Sequence, residues 1–179
     1  MTDPDSLFTQ LASDRERKRP PVSKWNPERV GNSAMRIDSE GRWYYNASEI
    51  RRPEMVKLFS TILRRDGGQY FLVTPAEKLS IEIDDAPFVA VEMETSGHGE
   101  TARIAFRTNV DDFVEADDDH RIFIKGKGTR ARPYVIVRDR LESLIARPVY
   151  YRLAELTVPG PAGRSGVWSN GVFFELESD

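Results

Sequence analysis

Apolar residues in this chain recur mostly at every second position, in short runs broken by Gly, Pro, Asn and Asp. "LSIEI" and "VAVEME" alternate as half-buried strands do, and "YFLVT" and "ARIAFRT" read as further strands beside them. Upstream, "MRID" and "RWYY" make a strand, a turn at Glu40-Gly41 and a second strand. A period of 3.6 replaces the period of 2 after Arg52: Pro53 suits a first helical position, and Met55, Leu58, Phe59, Ile62 and Leu63 form one core-facing stripe. Arg64, Arg65 and the Gly67-Gly68 pair mark the end of that helix. Asp139 and Glu142 resemble a capping box ahead of Leu141, Leu144 and Ile145, which predicts a second, short helix. "VYYRLAELTV", "GVWSNG" and "VFFELE" then read as the last strands, around the Pro/Gly-rich turn "VPGPAGRSG".

Two passages share a plan. "YFLVTPAEKLSIEIDDAPFVAVEME" starts at Tyr70 and "YVIVRDRLESLIARPVYYRLAEL" at Tyr134. Each has a Tyr-led apolar run, a polar connection carrying Leu and Ile, then a Pro opening a stretch read as β-rich and ending near Glu. Each half also holds a Gly-x-Trp, "GRW" at Gly41 and "GVW" at Gly166, first in one half and last in the other. The expected fold is therefore α+β, with two related small domains of curled antiparallel sheet, each with one helix. The boundaries predicted are an arm at 1–24, mobile in part, an N-terminal domain at 25–95 and a C-terminal domain at 96–179. A doubly wound parallel sheet is disfavoured, because regular helices do not separate the strands.

Composition narrows the function classes. The chain has 179 residues, 39% of them hydrophobic, so it can bury a core. With 26 basic and 29 acidic residues the net charge is -3, which gives no overall attraction to nucleic acid. Cysteine is absent, excluding disulfides, thiolate catalysis and cysteine-ligated metals. The opening "MTDPDSLFTQLASDRERKRPP" lacks a continuous apolar stretch and no later run approaches membrane-spanning length, so a cytoplasmic protein is the simplest expectation.

"GKGTRA" at Gly126 formally fits a dinucleotide loop, but Pro133 and "YVIV" predict a following strand where a helix is needed, so a hairpin is the better reading. "DDDH", Asp117 to His120, places carboxylates beside one of two histidines. Neighbouring strand residues point to opposite faces, which favours a solvated turn over a metal site. With His98 far away and no nucleophile elbow, no nucleophile and base system is recognisable. Charge is locally segregated: Arg121, Lys125, Lys127, Arg130, Arg132, Arg138 and Arg140 face a single acid, Asp139, in a strip suited to phosphate, an RNA strand or the neighbouring acidic stretch, with solvated strand edges that discourage aggregation as the competing reading. "ARPVYYR" adds Arg147 and Arg152 with Tyr150 and Tyr151, forked donors beside flat rings.

"WNPERVGNSAMRID", "GRWYY", "IRRPEMVKLFSTIL", "YFLVTPAEKLSIEIDDAPF", "RPYVIV" and "GVWSNG" together resemble the bacterial DUF1285 family, a domain of unknown function, from Pro21 to the end of the chain. The resemblance implies a duplicated core of two α+β domains, the second superficially pleckstrin-homology-like. It also implies a signalling role and a ligand site at the domain interface for a nucleotide-like molecule; it transfers no catalytic residue, metal or cofactor. If the two repeated passages face one another, Glu77, Lys78 and Asp84 approach Arg138, Arg147 and Tyr150. In that arrangement Lys78, Arg138 and Arg147 meet phosphate, Glu77 or Asp84 accepts from ribose or base, and Tyr150 or Trp168 stacks. A salt-bridge network with nothing bound is the competing reading of the same residues. A module that docks a protein partner is the alternative function, and an enzyme acting on phosphorylated metabolites through Asp117 to His120 is the third.

Overall fold

The structure, a computed structural model, describes residues 6–177. Helix α1 (Leu7–Arg15) begins at Ser6, whose Oγ accepts from the Phe8 N–H, and buries Leu7 and Leu11, one turn apart on one face. Of the arm expected to be mobile, residues 1–5 lie outside the described residues.

The first sheet contains β1 (Arg29–Ile37), β2 (Trp43–Tyr45), β3 (Ser48–Glu49), and, after helix α2 (Pro53–Ser60), β4 (Leu63–Asp66), β5 (Gln69–Val73) and β6 (Glu77–Ile83). Their spatial order is β3-β2-β1-β6-β5-β4, and β1 and β6 run parallel at the centre. The second sheet contains β7 (Phe88–Ser96), β8 (Arg103–Thr108), β9 (Phe113–Glu115), β10 (Ile122–Lys125), β11 (Arg132–Arg138) and β12 (Leu141–Ile145). Its order is β10-β11-β12-β7-β8-β9, again with one parallel pair, β12 beside β7. The domains are thus alike, each a curled sheet whose last strand returns to lie along its first. That return makes both sheets mixed where antiparallel pairing was expected, because a first and a last strand entering from the same end can only run parallel.

Helix α3 (Arg147–Ala154) and a small sheet of β13 (Val158–Pro159), β14 (Ser165–Ser169) and β15 (Val172–Glu175) complete the chain. The repeated passages match for half their length: the hairpins β5–β6 and β11–β12 hold equivalent places, each delivering the strand that pairs parallel with its domain's first. After the shared Pro they part, into β7 in one case and α3 in the other. Phe88, Val89 and Ala90 are consecutive and all buried, as in a strand covered on both faces. Past Pro148 only Val149 and Leu153 are buried, four apart, and Tyr151 is exposed, which is helical spacing. The stretch "VYYRLA", read as strand, is therefore helix.

The converse correction applies just before it. Leu141, Ser143 and Ile145 alternate into the core, so the segment predicted as a short helix is β12. Asp139 and Arg140 do not cap a helix; both have positive φ, 45° and 63°, and form the tight turn from β11. Helix α2 ends at Ser60, and Leu63, Arg64 and Arg65 belong to β4, with Gly67-Gly68 turning the β4–β5 hairpin. The helix packs Val56 and Phe59 inward, whereas Leu58 is 65% exposed. The change of sheet falls between Ile83 and Phe88, so the strand Phe88–Ser96, placed in the first domain by the sequence reading, pairs within the second.

One apolar core runs through both sheets, from Ile37, Trp43 and Leu72 to Phe88, Phe106, Leu141, Leu153 and Phe174. Three polar joints fasten its margins. Arg138, at the end of β11, meets the buried Asp112 and donates to the Ser60 carbonyl at the end of α2 (2.8 Å), while Arg19 donates to Asp112 (3.3 Å) and Asp14. Asn109 donates to the Gly41 carbonyl (3.2 Å) and accepts from the Val89 N–H (3.0 Å). Gly41 has φ +83°, and a Cβ there would come 2.8 Å from Asn109, so glycine is needed both for the turn and for the approach. The third joint holds α1: Glu94 takes the Ser6 hydroxyl and the Leu7 N–H, and buried Glu115 takes Arg103, Arg15 and Asn170. Among the described residues no helix is long and apolar enough to cross a membrane.

Two outcomes follow from these joints and turns. Ala47, exposed with φ 65° in the β2–β3 turn, is strained, so Ala47→Gly should raise stability by about 0.5–1 kcal/mol, read by thermal or denaturant unfolding. Burial opposes ionisation of Glu115, but Arg103, Asn170 and Arg15 outweigh it and hold the carboxyl below its usual value of 4.5. The folded state therefore binds that proton less readily than the unfolded chain, and stability should decline as pH falls below about 4.5. Glu115→Gln should flatten that decline in a pH series of unfolding free energies.

Candidate functional site

The residues predicted to gather at one interface lie in several places. Glu77 pairs with Arg29 (3.6 Å), and Lys78 pairs with Asp66 (2.7 Å) while covering the Phe71 ring. Asp84 takes a two-pronged hydrogen bond from Arg36, which together with its charge holds the carboxyl below its ordinary range. Arg138 is committed to Asp112 and Ser60, and Tyr150 packs half-buried against the core from α3. Because α3 is a helix, Tyr150 and Arg152 do not share a strand face; Arg152 donates to the Met93 carbonyl (3.1 Å). Trp168 meets Phe173 edge to face and lines a separate, smaller cavity with His98, Leu156 and Val158. Of the seven, Arg147 stands at a broad cleft between the domains.

That cleft, about 750 Å³, lies between the domains. The β1–β2 turn of the first domain contributes Ser39 and Glu40, and the inter-sheet connection contributes Asp85. The second domain supplies Lys125 and Arg130 from the β10–β11 hairpin, Arg132 and Tyr134 from β11, and Arg147 at the first turn of α3, with Val89, Leu144 and Ala146 as apolar lining. Each position has a local cause. Gly126 and Gly128, with φ of 89° and 56°, permit the tight hairpin that carries the basic residues, and a Cβ at Gly126 would strike the Arg130 carbonyl at 2.5 Å. "GKGTRA" is therefore a hairpin leading into β11. Pro148 places the start of α3 at the cleft wall, with no side chain capping its N-terminus.

Charge in the cleft is unbalanced. Lys125 is paired with Glu142 and lies over the Tyr134 ring (4.2 Å). Arg130, Arg132 and Arg147 are exposed and have no carboxylate partner among the described residues. The positive end of α3 adds to theirs. Tyr134 is buried to 3% exposure, stacks on Phe123 and donates to both oxygens of Asp85 (2.8 and 2.9 Å). Burial first, and then those hydrogen bonds to Asp85, push the Tyr134 hydroxyl far above its usual value, so it stays protonated and holds Asp85 in a fixed orientation. Three guanidiniums, a fixed carboxylate and an exposed Glu40 opposite can bind an anion that also carries hydrogen-bond donors.

Arg130, Arg132 and Lys125 belong to the basic strip visible in the sequence. Ser39, Glu40 and Asp85 were not anticipated; the turn residues Glu40-Gly41 and the Asp84-Asp85 pair were their only signals. The Asp117 to His120 segment closes on itself: Asp117 Oδ1 accepts from the Asp119 and His120 N–H groups (2.9 and 2.8 Å) and faces His120 Nδ1 (2.9 Å). Among the described residues no group of three or more His, Cys, Asp or Glu is placed to hold a metal ion.

Comparison with known proteins bears on both halves. Residues 20–86 match the N-terminal domain of DUF1285, described as a domain of unknown function, and residues 87–176 match the C-terminal domain of DUF1285, described as a protein of unknown function. The chain is similar to a crystal structure of a DUF1285 family protein from Silicibacter pomeroyi DSS-3, at 42% identity and a TM-score of 0.85 over 97% of this chain and 96% of that one. It shares the fold of a second such protein, from Shewanella baltica OS155, at 23% identity and a TM-score of 0.55 over 69% of this chain and 91% of that one. No curated protein matches it. The chain therefore belongs to the DUF1285 family, whose two domains account for its two six-stranded sheets.

Proposed function

We propose that this protein is a non-enzymatic regulator that binds a nucleotide-like anion in the cleft between its domains. One observation carries the reading: Arg130, Arg132 and Arg147 line a cleft of about 750 Å³ without carboxylate partners among the described residues, opposite polar groups of the other domain. Clefts at domain boundaries are the usual place for small ligands, and forked guanidiniums suit phosphate. In this assignment the three arginines take phosphate, Glu40, Ser39 and Asp85 take hydroxyl or base donors, and Val89 and Leu144 support an apolar edge. Of the seven residues first chosen, Arg147 is kept in the site. The pleckstrin-homology-like character of the second half and a signalling role belong to this proposal: a ligand gripping both walls biases the domains toward one orientation.

Thermal unfolding against mono- and dinucleotides, cyclic dinucleotides and nicotinamide cofactors tests it. A ligand at one hundred times its dissociation constant should add about 2.7 kcal/mol, a rise of several degrees for a protein of this size. Arg147→Ala should abolish most of that rise and leave the ligand-free transition in place, since the side chain is exposed and makes no ion pair. Unchanged affinity would remove Arg147 from the site, and no shift across the panel would favour the protein-docking alternative.

A further inference from the structure

A second cleft, of about 580 Å³, opens between the first domain and the β11–β12 turn; Arg64, Arg65, Lys78 and Arg140 line it, with Asp66 and Asp139. Its cations divide into two kinds. Arg64 and Lys78 are compensated: both reach Asp66 (2.8 and 2.7 Å), and Arg64 also donates to the Val22 and Trp25 carbonyls. Arg65 and Arg140 are tied to each other across the boundary between the domains. Arg65 donates to the Arg140 carbonyl and Arg140 to the Arg65 carbonyl, each at 3.2 Å. These reciprocal bonds cross from one domain to the other and draw two like charges into the same cleft. Arg65 also donates to the Gly67 carbonyl (3.1 Å), lies over the Tyr70 ring and shares Glu142 (3.4 Å), outside the cleft lining, with Lys125, whereas Arg140 has no carboxylate partner among the described residues.

The bond to the Arg65 carbonyl gives Arg140 a structural role, and its backbone sets a cost against that role. Its φ of 63° is left-handed, where a side chain costs about 1–2 kcal/mol and glycine costs nothing. A strained, uncompensated guanidinium facing a second one across a domain boundary is the arrangement that a doubly charged oxyanion would relieve.

We propose that Arg65 and Arg140 form a second anion site, separate from the Arg147 cleft, that takes a phosphate group and clamps the two domains together when it is filled. The phosphate comes either as the free inorganic ion or as the end of a phosphomonoester. Arg65, anchored in β4, supplies one fork and Arg140, on the turn after β11, the other, while Arg64 and Lys78 keep the wall positive.

Calorimetric titration of an Arg132→Ala/Arg147→Ala variant, in which the first cleft is disabled, tests this with inorganic phosphate and glycerol 3-phosphate at fixed ionic strength. Binding of at least one should persist in that variant, and which one binds names the source. Adding Arg140→Gly should weaken it about tenfold or more, the loss of one forked charge-assisted contact. Glycine fits the left-handed turn, so this variant keeps its fold. Arg65→Ala should weaken binding to a similar degree. Absence of binding by either compound, or equal affinity with and without Arg140→Gly, would overturn the proposal. Because the first cleft is already disabled, failure here leaves the nucleotide reading of that cleft standing, and failure of that reading leaves this one standing.

Discussion

The arrangement of this protein depends on the placing of one buried charge. Arg138 ends β11 with its guanidinium against Asp112, and the same group donates to the last carbonyl-bearing turn of α2 at Ser60. Asp112 receives Arg19 on its other oxygen, so the segment after α1 and the second domain meet at one carboxylate, and Arg138 carries the link on to the first domain. Taking such charges out of water is costly, and leaving either unpaired is costlier still. Both partners lie in the second domain, so the pairing fixes the Arg138 guanidinium, and the bond to the Ser60 carbonyl is where it constrains the first domain: arrangements of the two sheets that carry α2 away from Arg138 lose that bond. The Arg138 side chain also lies over Phe88, tying the constraint to the continuous core.

The cleft between the domains is shaped by this link and by the Asn109 joint. With the domains held in one orientation, the Glu40 turn on one side and the Lys125–Arg132 hairpin on the other face each other at a fixed separation, and Asn109 pins the former through the Gly41 carbonyl. Tyr134 and Asp85 fix the floor between them. Arg138, Arg64, Arg65 and Lys78 are paired and at least half-buried, whereas Arg130, Arg132 and Arg147 are exposed and have no carboxylate partner among the described residues. The division between structural and available cations is the main argument for where a ligand binds.

Much of the fold was legible in the chain, for a physical reason. Alternation marked "LSIEI" and "VAVEME" as strands and short apolar runs marked "YFLVT" and "ARIAFRT", whose Phe71 to Val73 and Ile104 to Phe106 are buried in succession, and all four strands are where the chain placed them. Alternation is silent about which strand lies alongside, so the parallel β1–β6 and β7–β12 pairs could not be read. Between 139 and 154 helix and strand were interchanged. Asp139 and Glu142 have capping-box spacing, yet the tight turn's positive φ values took precedence, and "VYYRLA" has enough β-formers to hide the four-residue spacing of Val149 and Leu153. The site was legible as a basic strip and no further. Lys78, Arg138 and Asp84 look as available as Arg147 until Asp66, Asp112 and Arg36, distant in sequence, are seen to be holding them.

The most direct test of the account is a backbone and arginine side-chain NMR titration of the whole chain with whichever nucleotide stabilises it. The account predicts perturbations at Ser39 and Glu40 together with Lys125 to Arg132 and Ala146 to Arg147, two domains responding as the two walls of one cleft. Perturbations centred instead on Trp168 and His98, or confined to one domain, would contradict it.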